Sequence, residues 1–166
     1  MEKMIIDFSS PDEQERWEII NDAVMGGVSE SRISIIDNKA ALFQGVVSLD
    51  NYGGFASIRT HPREFDLIGS NGLIVRVKGD GKDFRLRLRT DNTYDGIAYQ
   101  THFSTEQDRW ITARLSFEAF TPVFRGMVVN DAPPLDITAI RRIGFMIADK
   151  QAGPFRLEIE WVKAFT

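Results

Sequence analysis

The sequence predicts an all-β protein, built as an antiparallel sandwich or barrel. Three observations carry this. Apolar and polar residues alternate with a period of two in run after run, the pattern of a strand with one buried face. Turn-forming residues punctuate the runs about every ten residues, the spacing of sandwiches and barrels. No segment sustains a helical period over three or four turns.

In chain order, strand candidates at 33–36 and 42–49 flank the turn signal Asp37-Asn38, and 55–60 follows Asn51-Tyr52-Gly53-Gly54. At 73–78, Leu73, Val75 and Val77 alternate with Ile74, Arg76 and Lys78. Gly79-Asp80-Gly81 then reads as a hairpin turn, because Asp-Gly is the strongest hairpin signal. Phe84, Leu86 and Leu88 alternate with Arg85, Arg87 and Arg89. Runs at 97–103, 110–116 and 123–129 come next, then the face Ile143, Phe145 and Ile147. The last strand sets Phe155, Leu157, Ile159 and Trp161 against Arg156, Glu158 and Glu160. Short helical turns are expected at 12–16, 117–120 and 135–140. There is no internal repeat, low-complexity tract or linker, so one domain is expected to fill residues 1–166. Its core is expected to include Phe84, Leu86, Leu88, Phe145, Phe155, Leu157 and Trp161.

Composition narrows the function classes. The chain has 166 residues, 43% hydrophobic, with twelve Phe and three Trp, enough to bury a substantial core. A net charge of −4 lacks the basic footprint that nucleic-acid binding needs. No cysteine is present, which excludes disulfides, thiolate catalysis and Cys-ligated metals. The first residues show no apolar signal segment or transit peptide, and no stretch approaches the roughly 20 apolar residues of a membrane span. These features predict a soluble, cytoplasmic protein.

Several catalytic motifs are begun and left incomplete. Gly79-Asp80-Gly81 opens like a dinucleotide fingerprint, but position 84 is Phe and a strand follows, not a helix. Gly27-Val28-Ser29 opens like a nucleophile elbow, but Ser31 stands where its closing Gly belongs. His61 and His102 are the only imidazoles, which argues against zinc and leaves little for a serine hydrolase. Asp22, Asp80, Asp149 and His102 are acid–base groups in type, but no spacing selects a pair of them. Asp22, Asp50, Asn51, Asp80, Asp91, Asn92 and Asp95 are oxygen ligands in type for a hard cation, and equally ordinary turn residues. We therefore expect no enzyme, no cofactor and no resident metal.

Three groups remain as binding candidates. The first loop holds Asn21, Asp22, Met25, Gly26, Gly27 and Ser29; the second holds Asn51, Tyr52, Gly53 and Gly54. Gly admits positive φ and lets backbone N–H groups approach closely, while Asn, Asp and Ser offer hydrogen bonds to a partner or to the loops themselves. On the second alternative these residues only lock the two loops together over Trp17 and Met25. The third group is the arginine row Arg85, Arg87 and Arg89, with Arg59 and Arg76 expected from neighbouring strands. Like charges on one face repel unless answered, either by Glu158 and Glu160 or by an anionic or sugar-like ligand. Tyr94 and Tyr99 flank Asp95-Gly96 and, with Tyr52, suit stacking on a sugar or anchoring a protein, or packing over the sandwich end.

Trp17…Asn21-Asp22…Met25-Gly26-Gly27-Val28-Ser29 resembles the signature of the complex I intermediate-associated protein family. So does Phe43-Gln44-Gly45…Ser48-Leu49-Asp50-Asn51…Gly53-Gly54-Phe55-Ala56-Ser57. The resemblance continues through Gly79-Asp80-Gly81, Trp110, Phe117, Phe120 and Gly126 to Ile143-Gly144-Phe145 and Asp149-Lys150-Gln151…Gly153-Pro154-Phe155. It implies a galactose-binding-like jelly-roll β-sandwich. It also implies a non-enzymatic module of the kind that binds assembly intermediates of respiratory complex I without joining the finished enzyme. No catalytic residues come with it. Because the sequence shows no transit peptide, a stand-alone bacterial version of the domain is expected. The expected partner is a protein, such as complex I subunits or assembly intermediates, engaged through the glycine-rich loops. The alternative is a carbohydrate-binding module that takes a glycan or a small anionic ligand.

Overall fold

The computed structural model describes residues 1–22, 26–90 and 96–166, with the side chain of Tyr52 also outside the described set. Among the described residues, thirteen strands form two antiparallel sheets. One sheet contains β1 (Glu2–Asp7), β3 (Glu30–Ile36), β4 (Ala40–Val47), β6 (Gly72–Lys78), β9 (Trp110–Ser116) and β13 (Gly153–Phe165). Its order is β3-β4-β13-β6-β9, with β1 paired to the distal half of β13. The other contains β2 (Trp17–Ile19), β5 (Ala56–Thr60), β7 (Asp83–Arg89), β8 (Ala98–Ser104), β10 (Thr121–Phe124), β11 (Met127–Val128) and β12 (Arg142–Ile147). Its order is β11-β10-β8-β7-β12-β5-β2. Short 3-10 turns occur at Gln14–Arg16, Asp50–Tyr52, Phe117–Ala119 and Ile137–Ala139. The fold is the expected all-β jelly roll.

The alternation read from the sequence decides which side chains meet between the sheets. Phe43, Val75, Phe155 and Leu157 from one sheet face Ile58, Phe84, Leu86, Leu88 and Phe145 from the other, all buried. Phe155 links the layers, its ring centroid 4.9 Å from Phe43 and 6.5 Å from Phe84. Trp17 lies between Phe8 and Phe145 and donates its indole N–H to the buried Glu13 carboxylate at 3.0 Å. Asp37 and Asn38 both adopt positive φ, 54° and 52°, and make the mirror-image turn that suits the twist of β3 and β4.

Three expectations need correction. Trp161 is only half-buried. The pairing of β13 with β6 shifts register between Ile159 and Trp161, so Val162 takes the inward place. An extra residue reverses the parity of every side chain beyond it, and Trp161 turns outward beneath the Lys163 ammonium, 4.2 Å from the ring centroid. Gly79-Asp80-Gly81 is not a hairpin turn, because β6 and β7 belong to different sheets and this segment carries the chain between them. The run at 123–129 is two strands, since Arg125 and Gly126 at φ 50° and 80° reverse it into the β10–β11 hairpin. Of the two alternatives left for Tyr99, packing holds over a loop anchor: it is buried, and its hydroxyl donates to the Pro133 carbonyl at 2.6 Å.

Candidate functional site

Where Phe84, Leu86 and Leu88 point inward, strand geometry sends Arg85, Arg87 and Arg89 to the opposite face of the seven-stranded sheet. Arg87 sits between Gly144 of β12 and Gln100 of β8. Arg59 stands beyond Gly144 on β5, and Glu18 beyond Arg59 on β2. Glu18, Arg59, Gly144, Arg87 and Gln100 thus form one row across five strands. Arg89 lies beside Arg142, and Arg85 lies between Met146 and His102. Gly144 leaves the floor between Arg59 and Arg87 bare; a Cβ there would lie 2.8 Å from the Ile58 carbonyl oxygen and 3.0 Å from the Arg59 Cβ.

All of the residues named on this face except Glu18 and His102 line a cleft of about 430 Å³. Its walls are connections: Gly53–Phe55 on one side, the Arg125-Gly126 turn on another, and Ala148–Lys150 on a third. Leu49, Val123 and Phe124 give it apolar patches near the arginines. The structure therefore brings the second glycine pair and the arginine row, predicted separately, into one site.

The charges are partly answered, though not by the acids expected. Glu158 and Glu160 lie on β13 in the other sheet, where Glu158 pairs with Lys78 and Arg156, and Glu160 with Lys39 and Arg76. Arg76 is likewise on that sheet, over the Trp110 ring. At the end of the row, Glu18 Oε1 accepts from Arg59 Nε at 2.9 Å and from Arg142 Nη1 at 2.8 Å. Burial pushes the Glu18 carboxyl up, but the hydrogen bonds and charges of Arg59 and Arg142 outweigh it, and its pKa lies below the ordinary value. Arg85 pairs with Asp149, whose second oxygen is 3.4 Å from His102 Nε2. Arg89 donates to the Gly96 carbonyl at 2.6 Å. Arg87 has no carboxylate or hydrogen-bond partner among the described residues, and its Nε is buried. Burial, then the charges of Arg89, Arg85 and Arg59, pull its pKa down to about 10. Arg85 Nε, Arg142 Nε and Gln100 Oε1 are also buried without a partner among the described residues.

The first loop has a different role. Asp22 is fully buried. Its Oδ1 accepts from the Ser29 N–H at 2.9 Å; its Oδ2 accepts from Ser29 Oγ at 2.5 Å, Gly54 N–H at 2.7 Å and Phe55 N–H at 3.3 Å. Burial raises its pKa, but these hydrogen bonds to the charged form bring it below the ordinary value. Gly27 and Gly53 make room for the carboxylate, since a Cβ on either would come within 2.4–2.5 Å of it. Asn21 Oδ1 accepts from Ser31 Oγ at 2.8 Å and from the Ser57 N–H at 3.2 Å. Asn21, Asp22, Gly27 and Ser29 therefore tie the loops together and fix the Gly53–Phe55 wall of the cleft. Of the remaining candidates, Gly26 has open space around it and Asn51 is exposed, with φ 56°. Met25 lies outside the described residues, as do Asp91, Asn92, Tyr94, Asp95 and the side chain of Tyr52.

Four contributors were missed in the sequence: Glu18, Gln100, Arg142 and Asp149 in its pairing role. Glu18 and Gln100 had a local signal, as the polar positions between Trp17 and Ile19 and between Tyr99 and Thr101. Arg142 had none, because its partner Glu18 is 124 positions away. No group of three or more His, Cys, Asp or Glu side chains arranged for a metal occurs among the described residues.

Solved structures with the same architecture include carbohydrate-binding modules and agarases. The family 11 carbohydrate-binding module of Clostridium thermocellum, in complex with a β-1,3-1,4-mixed-linked tetrasaccharide, superposes with TM-score 0.75 at 18% identity, covering 99% of this chain and 95% of that one. An agarase matches with TM-score 0.66 at 10% identity, over 99% of this chain and 24% of its own. At such identities the likeness carries the fold alone. Sequence relatives are closer. The mitochondrial complex I intermediate-associated protein 30 of Drosophila melanogaster is 28% identical across 96% of this chain, and that of Mus musculus 27% across 99%. This chain spans 61% and 56% of their respective lengths. These relatives are named mitochondrial proteins, which overturns the expectation of a cytoplasmic one and points to the mitochondrion. They are eukaryotic and lend no support to a bacterial version. The profile of complex I intermediate-associated protein 30 matches residues 6–159, and the chain belongs to that family.

Proposed function

We propose that this protein is a non-catalytic binding module in the assembly of respiratory complex I, and that it engages a protein partner through the second glycine-rich loop at the rim of the arginine cleft. The assembly role is supported by the names of the relatives matched over nearly the whole chain. The choice of surface is supported by one observation: the buried Asp22 carboxylate holds Gly54 and Phe55 in place. The loop next to them is thus a preformed surface, with Asn51 and Leu49 exposed on it. A preformed loop loses little conformational entropy when a partner docks.

Affinity purification with crosslinking and mass spectrometry tests this, comparing wild type with Asn51→Ala. The wild type should recover complex I subunits or their precursors, and the folded variant should lose them. Recovery of no such protein by the wild type rejects the assembly role, and equal recovery by the variant rejects the loop as the contact. A carbohydrate-binding reading draws on the shared fold alone, and a glycan array tests it directly.

A further inference from the structure

We infer that the arginine cleft is a binding site for a small hydroxylated organic anion, an oxyanion carried on a polyol frame such as a sugar phosphate or a sugar acid. Four observations lead there. Arg87 is at the centre of the cleft floor, flanked by Arg85 and Arg89, and has no carboxylate partner among the described residues. Placing a guanidinium there costs stability unless a ligand answers it. Second, the unmade hydrogen bonds of Arg85 Nε, Arg87 Nε, Arg142 Nε and Gln100 Oε1 belong to side chains that line this same cleft. Buried polar groups left unmatched are rare enough that their gathering in one place calls for a cause. Third, the donors and the acceptor ask for different things. The guanidinium groups of Arg85, Arg87 and Arg142 suit a planar or tetrahedral oxyanion. Gln100 lines the cleft but its Oε1 has almost no surface there as it stands, so the side chain must turn toward a ligand to meet it; it then asks for a donor, which a hydroxyl provides and a bare oxyanion does not. Fourth, the cleft is about 430 Å³, within the range of small-molecule sites, and Leu49, Val123 and Phe124 offer apolar contact for a carbon frame.

An aspartate or glutamate from a protein partner meets the arginines and leaves Gln100 unmatched, so it fits less well. A neutral sugar meets Gln100 and leaves Arg87 without a counter-charge. The inference stands apart from the assembly role, and either can fail without the other.

Isothermal titration and amide chemical-shift mapping on the whole chain test it with matched probes: glucose 6-phosphate against inorganic phosphate, glucuronate against acetate, and glucose alone. At least one of the two hydroxylated anions should bind saturably, at least tenfold more tightly than its bare counterpart and than glucose, with shifts centred on β7, β8 and β12. Arg87→Leu should weaken it at least tenfold while Tm rises by about 2–4 °C, because the variant removes a repelling charge and places a short apolar chain there. A residue needed only for the fold would lower Tm instead. Gln100→Leu should bring the hydroxylated anion down toward its bare counterpart. The inference is overturned if neither hydroxylated anion binds saturably, if acetate or phosphate matches its partner, if glucose binds as well, or if Arg87→Leu binds unchanged.

Discussion

The Asp22 carboxylate accepts hydrogen bonds from Ser29, Gly54 and Phe55, and it has no exposed surface. Asp22→Ala would leave those donors without an acceptor. With hydrogen bonds to a charged group contributing about 1.5–3 kcal/mol each and partial relief by water, the loss should be about 3 kcal/mol in urea unfolding. Gly53→Ala should show a similar direction and smaller size, because its Cβ would lie 2.5 Å from Asp22 Oδ2 and force the clamp open. The pH dependence follows from the same geometry. The folded-state pKa of Asp22 is below its ordinary 3.8, so the unfolded chain takes up the proton first. Its stabilising contribution is complete well above pH 3.8 and is lost as pH falls through that value toward the folded pKa. Urea midpoints between pH 7 and 3 should show the gap between wild type and Asp22→Asn narrowing at the acid end; a constant gap would remove the carboxylate's charge from the explanation. At this scale the sequence was legible in part. The Gly, Asn, Asp and Ser residues stood out, yet nothing local distinguishes an aspartate that faces a partner from one buried under its own loop.

Among the elements, β3 shows how a single small residue sets a strand pairing. Gly45 of β4 lies so close to β3 that a Cβ there would sit 2.0 Å from the Glu30 carbonyl oxygen and 2.6 Å from the Ser31 Cα. Gly45→Ala should push the edge strand outward at a cost of about 1–3 kcal/mol. Hydrogen exchange should report it as lost protection confined to β3 and its partner amides on β4, with β6 and β13 unchanged. Loss of protection across all four strands would mean that β3 is not a separable edge. Strand β13 shows the limit of period-two reading. The alternation correctly buries Phe155, Leu157 and Ile159, then fails at Trp161, because a register shift is a property of the pairing with β6 and not of β13 alone.

Over the whole molecule, both sheets contribute to one core, and Phe155 touches aromatic rings in each layer. Removing either sheet exposes the other's apolar face, so the two should unfold together. Tryptophan fluorescence and far-ultraviolet circular dichroism should give coincident urea transitions; separated midpoints would show that the sheets are independent units. Leu86→Ala, at the centre of that core, should cost about 2–5 kcal/mol. The fold class, most strands and six of the seven expected core residues followed from alternation and turn residues, because facing in or out is encoded at each position. The arginine row was equally legible as a face. Which sheet each strand joins was decided only in three dimensions. That assignment places Glu18 and Asp149 beside the arginines in place of Glu158 and Glu160, separates β6 from β7, and sets the Gly53-Gly54 wall beside Arg87. The physical reason is distance along the chain. Side-chain direction is a local property with a period of two, whereas a contact such as Arg142 to Glu18 spans 124 positions and exists only once the sheets have paired.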